Sequence, residues 1–251
     1  MDLGLRAKGV VITGGSKGIG RATALAFAGE GANVAICARG EESLHKTALQ
    51  LREKDVRVYA AKCDVGEPAA LDSFLDGARS ALERIDILVN NVSAFGVTDD
   101  EAAWQTGFNL DVMASVRAVW KVAPWMKDAG GGSIVHISSV AGLEGGWPAA
   151  YAAAKAALVS HSKALAVSLA PMKIRVNVVT LGSIEFAGGR WERAKHTNRA
   201  RYDAILNSIP WGRLGTAEEV ANAVIFLASE RASWVTGACL SVDGGQHRGN
   251  L

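Results

Sequence analysis

Tyr151 and Lys155 are the two side chains whose types and spacing most clearly indicate chemistry. They lie four residues apart in the alanine-rich stretch 149–170, whose composition favours a helix, and residues at that spacing share one helix face. A phenol ordinarily titrates near 10, but an ammonium beside it lowers that value, and a shift of about three units corresponds to roughly 4 kcal/mol. The pair therefore predicts a proton donor and acceptor, although the same spacing also occurs by chance in ordinary helices.

Ser138 and Ser139 follow the apolar run 134–137, which is expected to form a strand. Ligands of open α/β sheets bind at the carboxyl ends of the strands, where a hydroxyl can hydrogen-bond a carbonyl oxygen that develops negative charge. Two adjacent serines at a strand end are equally typical of a turn. The residues alone leave both interpretations open for each serine.

A glycine-rich turn joins the first expected strand to a helical segment at 21–29. Glycine lets the chain turn tightly and brings backbone N–H groups close to a pyrophosphate, and the N-terminus of the following helix favours negative charge. The pattern predicts a dinucleotide-binding turn, with a plain tight turn as the alternative. The candidate binding residues are Thr13, Gly14, Ser16, Lys17, Gly18, Ile19 and Gly20.

The end of the second expected strand indicates which dinucleotide binds. NAD sites usually have an acidic residue there that accepts hydrogen bonds from the ribose hydroxyls, whereas this chain has Ala38 followed by Arg39. A guanidinium pairs with a 2′-phosphate through two parallel hydrogen bonds, and Lys17 adds a second cation. We therefore expect NADP(H) as the cofactor; the alternative is that both cations are solvated surface charges.

The elements that must position these residues alternate regularly along the chain. Short apolar, mostly β-branched runs are separated by longer helix-patterned segments, which is typical of parallel strands covered by helices on both faces. The sequence predicts an α/β fold with a doubly wound parallel sheet of about seven strands in a single domain, residues 1–251. The expected strands are 10–12, 33–37, 56–60, 85–89, 133–137, 174–179 and 238–242.

The region 181–211 contains several glycines and no sustained helical stripe, so it is expected to be irregular. A long insertion near the carboxyl end of a strand is typical of a binding lid, which we place at about 182–211. Its positive charges could attract a carboxylate, a phosphate or a coenzyme A ester, or could be an ordinary solvated face. These cations are Arg190, Arg193, Lys195, Arg199 and Arg201. Aromatic residues that could line an apolar pocket, or belong to the core or a subunit interface, are Phe95, Trp147, Phe186 and Trp191.

Composition excludes several classes of protein. Of the 251 residues 49% are hydrophobic and 21% charged, as in a folded globular protein, and the net charge of +2 is too small to predict nucleic acid or a membrane as partner. No signal-type stretch or apolar run of about 18 residues occurs, so a cytoplasmic protein is expected. Cys37, Cys63 and Cys239 lack paired spacing and are expected to be reduced, buried thiols. The histidines lack ligand spacing, so no metal is expected, and His136 is expected to lie in the core.

Several segments taken together resemble the short-chain dehydrogenase/reductase family over essentially the whole chain. In chain order they are 13–20, Cys63-Asp64-Val65, Leu88-Val89-Asn90-Asn91, Phe108-Asn109-Leu110, 137–142, 151–155 and Val242-Asp243-Gly244-Gly245. The resemblance implies a Rossmann-type domain with seven parallel strands, assembled as a homodimer or homotetramer. It also implies hydride transfer between a nicotinamide and a carbonyl or alcohol carbon.

The resemblance further implies a role for each catalytic candidate. Tyr151 matches the family's proton donor, and Lys155 matches the lysine that favours the phenolate and binds the cofactor ribose. Ser139 best matches the serine that polarises the carbonyl, judged from its distance to Gly142, and Asn109 matches the asparagine that holds a water in the proton relay.

Four further matches concern the cofactor. Asp64 corresponds to the residue near the adenine amino group, and Val65 to the one beside the adenine ring. Asn91 corresponds to a contact of the adenosine ribose, and Ile184 to a contact of the nicotinamide amide.

The chain departs from the family pattern at three places. The usual Ala-Gly after the paired asparagines is Val92-Ser93, which narrows the space beside the nicotinamide. The spacing from Ser139 to Tyr151 is one residue shorter than is common, which leaves Ser138 as a second candidate. Phe186 stands where a threonine is usual, so one contact to the cofactor is in doubt.

The sequence as a whole predicts an NADP(H)-dependent oxidoreductase acting on a ketone or secondary alcohol, of the 3-oxoacyl thioester or cyclic ketone type. One alternative is a catalytically silent NADP(H)-sensing protein, against which the set Asn109, Ser139, Tyr151 and Lys155 argues, because a sensor needs no proton donor. A second alternative is an NAD-dependent alcohol dehydrogenase.

Overall fold

The computed structural model describes residues 2–249 of the chain. Within them a parallel sheet of seven strands has the spatial order β3-β2-β1-β4-β5-β6-β9, and strands β7 and β8 form a separate parallel pair. The strands are β1 (Gly9–Thr13), β2 (Asn33–Ala38), β3 (Val58–Lys62), β4 (Ile87–Asn90), β5 (Gly132–Ser139), β6 (Ile174–Leu181), β7 (Ile184–Glu185), β8 (Gly215–Thr216) and β9 (Cys239–Val242). The chain therefore has the expected Rossmann-type, doubly wound α/β fold.

Helices connect successive strands and cover both faces of the sheet. They are α1 (Gly18–Gly29), α2 (Glu41–Arg52), α3 (Pro68–Leu82), α4 (Glu101–Gly107), α5 (Ala114–Asp128), α6 (Ala149–Leu169), α7 (Arg190–Thr197), α8 (Arg199–Ser208) and α9 (Ala217–Ala228). A π-helical turn, Phe108–Met113, joins α4 to α5. Helix α6 fills the interval between Pro148 and Pro171, as its alanine content predicts.

The central strands are apolar on both faces because each face carries its own core. One core packs α1, α2 and α9 against the sheet, with Phe27 and Ile36 fully buried. The other packs α3 and α5 against the opposite face, with Phe74 and Leu88 at most 2% exposed. Two filled cores hold the carboxyl ends of the strands in fixed register, which is where the candidate residues lie.

Some predicted strand boundaries are wrong. The third strand begins at Val58 instead of 56, because Asp55 has a left-handed φ of 55° and the ladder with β2 starts at Val34 opposite Val58. The fourth begins at Ile87 instead of 85, since the Asp86 carboxylate accepts a hydrogen bond from Gly9 N at 2.8 Å ahead of the ladder. The first helix starts at Gly18 instead of 21.

The prediction that 181–211 is irregular is also wrong. Helices α7 and α8 occupy most of it, separated at Asn198, whose side chain accepts from Arg201 N. Both helices are short and rich in charge, and their apolar residues form a small cluster of their own around Ala194 and Tyr202. A stripe of so few apolar positions gives a weak periodic signal.

Two further observations concern the cysteines and the apolar character of the helices. Cys37 and Cys63 are buried free thiols as expected, but Cys239 is exposed, because β9 is an edge strand of the sheet. No helix in residues 2–249 combines the length and apolarity needed to cross a membrane.

Candidate active site

The carboxyl ends of β1, β4, β5 and β6 lie side by side and bring the sequence candidates together. Thr13 ends β1, Asn90 ends β4 and Ser139 ends β5. Helix α6 packs on β5 and β6 and carries Tyr151 and Lys155 to the same edge. A cavity of about 820 Å³ lies at the amino ends instead, beside Gly132. Ligands of open α/β sheets bind at the carboxyl ends, so we place the site at the Tyr151 edge.

Tyr151 and Lys155 share one face of α6, as their spacing predicts. The Lys155 ammonium nitrogen lies 5.8 Å from the centre of the Tyr151 ring. It donates a hydrogen bond to Ile137 O at 3.2 Å, so the lysine is anchored to β5. The Tyr151 ring is half-buried and stacks on Phe95 at 5.7 Å between ring centres. The arrangement holds a phenol and an ammonium beside each other at the sheet edge.

Asp111 is a buried partner of Lys155 that the sequence analysis did not identify. Its Oδ1 lies 2.7 Å from Lys155 Nζ, and the two side chains are 1% and 2% exposed. Its Oδ2 accepts a hydrogen bond from Ala94 N at 2.8 Å. Asp111 therefore joins the lysine to the loop that carries Phe95, and so to the stacking partner of Tyr151. Its position two residues after Asn109 gives no sequence signal that distinguishes it from a surface carboxylate.

The two serines at the end of β5 have different partners. Ser138 Oγ donates to Lys155 O at 2.8 Å, which commits this hydroxyl to the backbone of α6. Ser139 Oγ accepts from Ala141 N at 3.1 Å, and its own donor reaches Leu181 O at 3.4 Å. A long bond of this kind is readily exchanged for a better acceptor. Ser139 is thus the more available hydroxyl.

Asn109 lies in the π-helical turn, and both the nitrogen and the oxygen of its side-chain amide are hydrogen-bonded. Its Nδ2 donates to Gly66 O at 3.1 Å, and its Oδ1 accepts from Arg117 at 3.0 Å. These bonds fix the turn that also carries Asp111. π-Turns inside α-helices are frequent at functional sites.

The glycine-rich turn has the form of a phosphate cradle. Gly14 has a φ of +70°, and a Cβ on Gly20 would lie 2.2 Å from Gly14 O, so both positions require glycine. Helix α1 follows at once, with no side-chain cap on its first N–H groups and no acidic residue in its first turn. Free N–H groups at a helix N-terminus bind anions, so the turn fits the pyrophosphate of a dinucleotide.

Thr13 and Asn91 hold this turn against β4. Asn91 Nδ2 donates to Thr13 O at 3.1 Å and to Gly14 O at 3.2 Å, and Asn91 N donates to Thr13 Oγ1 at 3.0 Å. The amide of Asn91 is thus committed to shaping the cradle. The expected contact of Asn91 with the adenosine ribose stays a prediction, and the structure shows its side chain bonded to the turn.

The ends of β2 and β3 form a basic surface beside the turn. The Arg39 side chain is 75% exposed, and one of its nitrogens lies 4.0 Å from Asp64 Oδ2. Lys17 is exposed and precedes α1. Asp64 Oδ1 accepts from Gly66 N at 3.0 Å, and Val65 is buried. Arg39 and Lys17 are therefore free enough to close on a phosphate near the end of β2.

Two residues after β6 border the site on its other side. Ile184 is buried in β7 and pairs with Gly215 of β8. Phe186 packs onto the glycine-rich turn, because a Cβ on Gly18 would lie 2.5 Å from its ring. The phenylalanine that replaces the usual threonine therefore makes an apolar contact with the turn instead of offering a hydroxyl.

His136 is buried in β5 as expected. Burial lowers its pKa to about 3, and the positive charges of His161 and Lys155 add to this effect. Its Nδ1 lies 3.3 Å from Asn90 Nδ2. The imidazole is thus a neutral core group beneath the site. Among the described residues no cluster of histidine, cysteine or acidic side chains could hold a metal ion.

Comparisons with known proteins find relatives over nearly the whole chain. A family model described as enoyl-(acyl carrier protein) reductase matches residues 14–247. The 3-oxoacyl-[acyl-carrier-protein] reductase FabG of Escherichia coli is 35% identical over 253 residues, which covers 98% of this chain and 99% of the relative.

Two solved structures extend the likeness to three dimensions. L-sorbose reductase from Gluconobacter frateurii, complexed with NADPH and L-sorbose, superposes with a TM-score of 0.92 at 36% identity, over 99% of this chain and 100% of that one. A 7α-hydroxysteroid dehydrogenase, complexed with NADH and 7-oxo glycochenodeoxycholic acid, gives 0.91 at 31% identity, over 97% and 96% of the two chains. The similar structures thus include both NADPH and NADH complexes.

Proposed function

Because the chain belongs to the short-chain dehydrogenase/reductase family, and so is an oxidoreductase that interconverts alcohols and ketones, we propose that it works with NADP(H). The observation that carries the proposal is the end of β2, where Ala38 and Arg39 replace the acidic residue typical of NAD sites. Arg39 is mostly exposed and only loosely paired with Asp64 at 4.0 Å. A 2′-phosphate placed there gains a charge-assisted contact that a ribose hydroxyl does not.

Steady-state kinetics and equilibrium binding with both cofactors test this proposal. We expect NADPH to have the higher kcat/KM, and Arg39→Ala to weaken NADPH binding by roughly tenfold or more while NADH binding changes little. Arg52→Ala is a matched control, since it removes an arginine from the exposed end of α2. Equal or better kcat/KM with NADH in the unmodified protein would contradict NADP(H) preference.

When bound in the cradle, NADP(H) would provide the hydride chemistry at the substrate carbon, and the residues of this chain would position the substrate and move the proton. Tyr151 gives its hydroxyl proton to the carbonyl oxygen in reduction and takes it back in oxidation. Lys155, anchored by Ile137 O, places a positive charge beside the phenol and stabilises its anionic form. Ser139 directs its exchangeable hydroxyl hydrogen to the same oxygen. Asn109 supports this edge from the π-turn.

We propose the following cofactor contacts, which the geometry of the cradle supports. The turn residues Thr13 to Gly20 and the N-terminus of α1 receive the pyrophosphate. Asp64 and Val65 would border the adenine, Asn91 would shape the turn beside the ribose, and Ile184 would contact the nicotinamide. These assignments are proposals that cofactor-bound crystals would test contact by contact.

We also propose that the segment 182–211 moves as a substrate lid on one domain. Its two helices have a small apolar cluster of their own, built around Tyr202, and this cluster is separate from the two cores of the sheet. Helices α7 and α8 can therefore change position while Ile184, at the start of the segment, stays in the core that includes α1, α2 and α9. Amide hydrogen exchange is expected to show protection in α7 and α8 that rises when NADPH and substrate bind.

Assembly into a homodimer or homotetramer in the cytoplasm completes the proposal. Large apolar side chains are exposed on helices α5 and α6, with Trp120 67% and Val167 71% exposed. Exposed apolar groups of this size favour a protein interface. Light scattering is expected to give a mass of two or four chains, and Trp120→Glu is expected to lower it.

The substrate is proposed to be a ketone or secondary alcohol of the 3-oxoacyl thioester or cyclic ketone type. The family description and the FabG relative support an acyl substrate, and the NADPH complex with L-sorbose supports a small polar one. A panel that contains both kinds, followed by NADPH absorbance, ranks them directly. Tight cofactor binding with no turnover of any member would favour a cofactor-sensing protein.

A further inference from the structure

The positive side chains of the segment that follows β6 fall into two groups. Three are ion-paired: Lys195 with Glu185 at 2.9 Å, Arg199 with Asp203 at 2.9 Å, and Arg213 with Glu219 at 2.6 Å. Arg190, Arg193 and Arg201 have no carboxylate within 4.0 Å anywhere in residues 2–249. The segment therefore contains unbalanced positive charge although acidic residues lie close by.

Arg190 differs from an ordinary solvated arginine. It is half-buried at the start of α7, and its guanidinium lies 5.5 Å from the centre of the Trp191 ring. The Arg201 guanidinium approaches the same ring at 6.0 Å. Two cations thus flank one indole. Burial lowers the pKa of the Arg190 guanidinium, and the charge of Arg201 lowers it further. Two like charges near each other without a carboxylate counterion repel, and an anion bound to either guanidinium would offset this repulsion.

The position of Arg190 connects it with the reacting group. Arg190 begins α7 directly after Gly189, and the Phe186 ring packs against both Gly189 and Gly18 of the glycine-rich turn. Helix α7 therefore starts at the edge of the sheet where we place the site. In agreement with this placement, Tyr151 opposes the lowering of the Arg190 pKa.

Glu185 is the acidic residue of the small β7–β8 pair. Its Oε1 accepts a hydrogen bond from Lys195 Nζ at 2.9 Å, and its Oε2 accepts one from Tyr202 Oη at 2.6 Å. Glu185 is therefore committed and does not neutralise Arg190.

We propose that Arg190, supported by Arg201, binds a carboxylate carried by the substrate, and that the natural substrate is an anionic ketone or its alcohol. The inference rests on the proposed function, because it assigns the substrate class of the same site. A planar guanidinium binds a carboxylate through two parallel hydrogen bonds, which fixes the orientation of the molecule as well as its position. An anion held beside Tyr151 places the substrate carbonyl at a fixed distance from the phenol.

Matched keto acids and esters test the proposal. The probes are acetoacetate with ethyl acetoacetate, and levulinate with ethyl levulinate, each at saturating NADPH. The unmodified protein is expected to have a higher kcat/KM for at least one acid than for its ester. Arg190→Gln is expected to raise KM for that acid roughly tenfold or more and to leave KM for the ester nearly unchanged. Arg190→Lys keeps the charge but loses the planar fork, so partial recovery is expected.

The control is Arg193→Gln, which removes an exposed, unpaired arginine from the same helix. Arg193→Gln is expected to leave KM unchanged for the acids and for the esters. This result would distinguish binding by Arg190 from a general attraction of anions to the positive segment. Equilibrium binding of NADPH, measured by fluorescence, is expected to be the same in Arg190→Gln and the unmodified protein.

Each other outcome has a defined meaning. Equal losses for acid and ester, or an ester preference in the unmodified protein, would overturn the inference and leave the proposed function intact. Weaker NADPH binding by Arg190→Gln would overturn it by assigning the arginine to a cofactor phosphate. Turnover of no acid and no ester, with turnover of another ketone of the panel, would overturn the inference alone; turnover of no panel member at all would reject the proposed function as well.

Discussion

The Lys155 side chain is the most constrained charged group of the site. Its ammonium contacts Asp111 at 2.7 Å and Ile137 O at 3.2 Å, and it is 2% exposed. A buried ion pair adds little net stability compared with an apolar pair, but removing one partner leaves an uncompensated charge in a medium of low dielectric constant. The ion pair therefore fixes the position of Lys155, and the stability of the fold depends on both charges being present.

A double-mutant cycle measures this dependence. Asp111→Asn keeps the shape but removes the charge, and we expect it to lower the free energy of unfolding by about 3 kcal/mol. Lys155→Met is expected to have a similar effect, because it leaves the carboxylate unpaired. The double variant is expected to lose less than the sum of the single losses. Additive losses in urea denaturation would show that the two charges do not interact.

His136 predicts how stability depends on pH. Its folded pKa of about 3 lies far below the ordinary value of about 6.5, so between these values the unfolded chain holds a proton that the folded chain lacks. Stability therefore falls as the pH drops below 6.5. His136→Asn is expected to reduce the loss of unfolding free energy between pH 7 and pH 5 by about 2 kcal/mol.

His45→Gln serves as the control, because His45 is exposed on α2. It should leave the dependence on pH as it is in the unmodified protein. An unchanged slope in His136→Asn would show that this imidazole is not the group responsible.

Residue spacing predicted part of the site and missed the rest for a physical reason. Tyr151 and Lys155 are neighbours on one helix, so their contact follows from the helical repeat. Asp111 meets Lys155 across more than forty residues of chain, a contact that the packing of α6 on the π-turn produces and that no local pattern encodes. The exposure of Cys239 was missed because the sequence does not show which strand lies at the sheet edge.

At the scale of elements, the N-terminal cap of helix α9 fixes the strand pair β7–β8 that borders the site. Thr216 and Glu219 form a capping box: Thr216 Oγ accepts from Glu219 N at 3.2 Å, and Glu219 Oε2 accepts from Thr216 N at 2.9 Å. Arg213 adds two further bonds to the same carboxylate. Together they lower the pKa of Glu219 to about 2. The cap fixes the start of α9 beside β8, which pairs with the strand that carries Ile184.

Removing the Glu219 carboxylate is expected to weaken this element. Glu219→Ala should lower the free energy of unfolding by about 1 kcal/mol at pH 7, because it removes one side of the capping box. The folded pKa is depressed, so this contribution is present above about pH 4.3 and disappears as the pH falls towards 2.

Glu218→Ala is the matched control, since Glu218 is the exposed neighbour in the same first turn. Thermal unfolding at pH 7 and pH 3 distinguishes the two variants. Equal destabilisation by both would mean that helix propensity, and not the cap, sets the effect.

Elements with strong local patterns were predictable, and those with weak patterns were not. The alanine-rich helix α6, with proline at both ends, and the apolar strand β5 were expected within a residue or two at most positions. Helices α7 and α8 were missed, because they bury few residues and form their own cluster around Ala194 and Tyr202. Their helical pattern is too short to stand out in a charged sequence.

At the scale of the whole molecule, the two cores explain why function depends on one edge of the sheet. Strands β1, β4 and β5 are buried on both faces, so their central residues pack in the two cores. Only their carboxyl ends can place polar side chains in contact with a ligand. The same alternation of strands and helices that predicted the fold also predicts a site at the carboxyl ends, where the candidate residues lie. The fold does not identify the substrate, and we propose that the segment after β6 recognises it.

We propose that Tyr151 exchanges the proton with the substrate oxygen while the cradle at the glycine-rich turn binds the cofactor. Replacing Tyr151 by Phe removes one oxygen atom and keeps the ring that stacks on Phe95. Tyr59→Phe is the control. The Tyr59 ring stacks on Phe74, and its strand, β3, is separated from β5 by three strands of the sheet.

The measurement is NADPH-dependent reduction of the best ketone in the panel, together with the Kd for NADPH. Tyr151→Phe is expected to lower kcat by roughly 10²- to 10⁴-fold and to leave the Kd within about twofold. Tyr59→Phe is expected to retain both values. Turnover by Tyr151→Phe close to that of the unmodified protein would contradict the account.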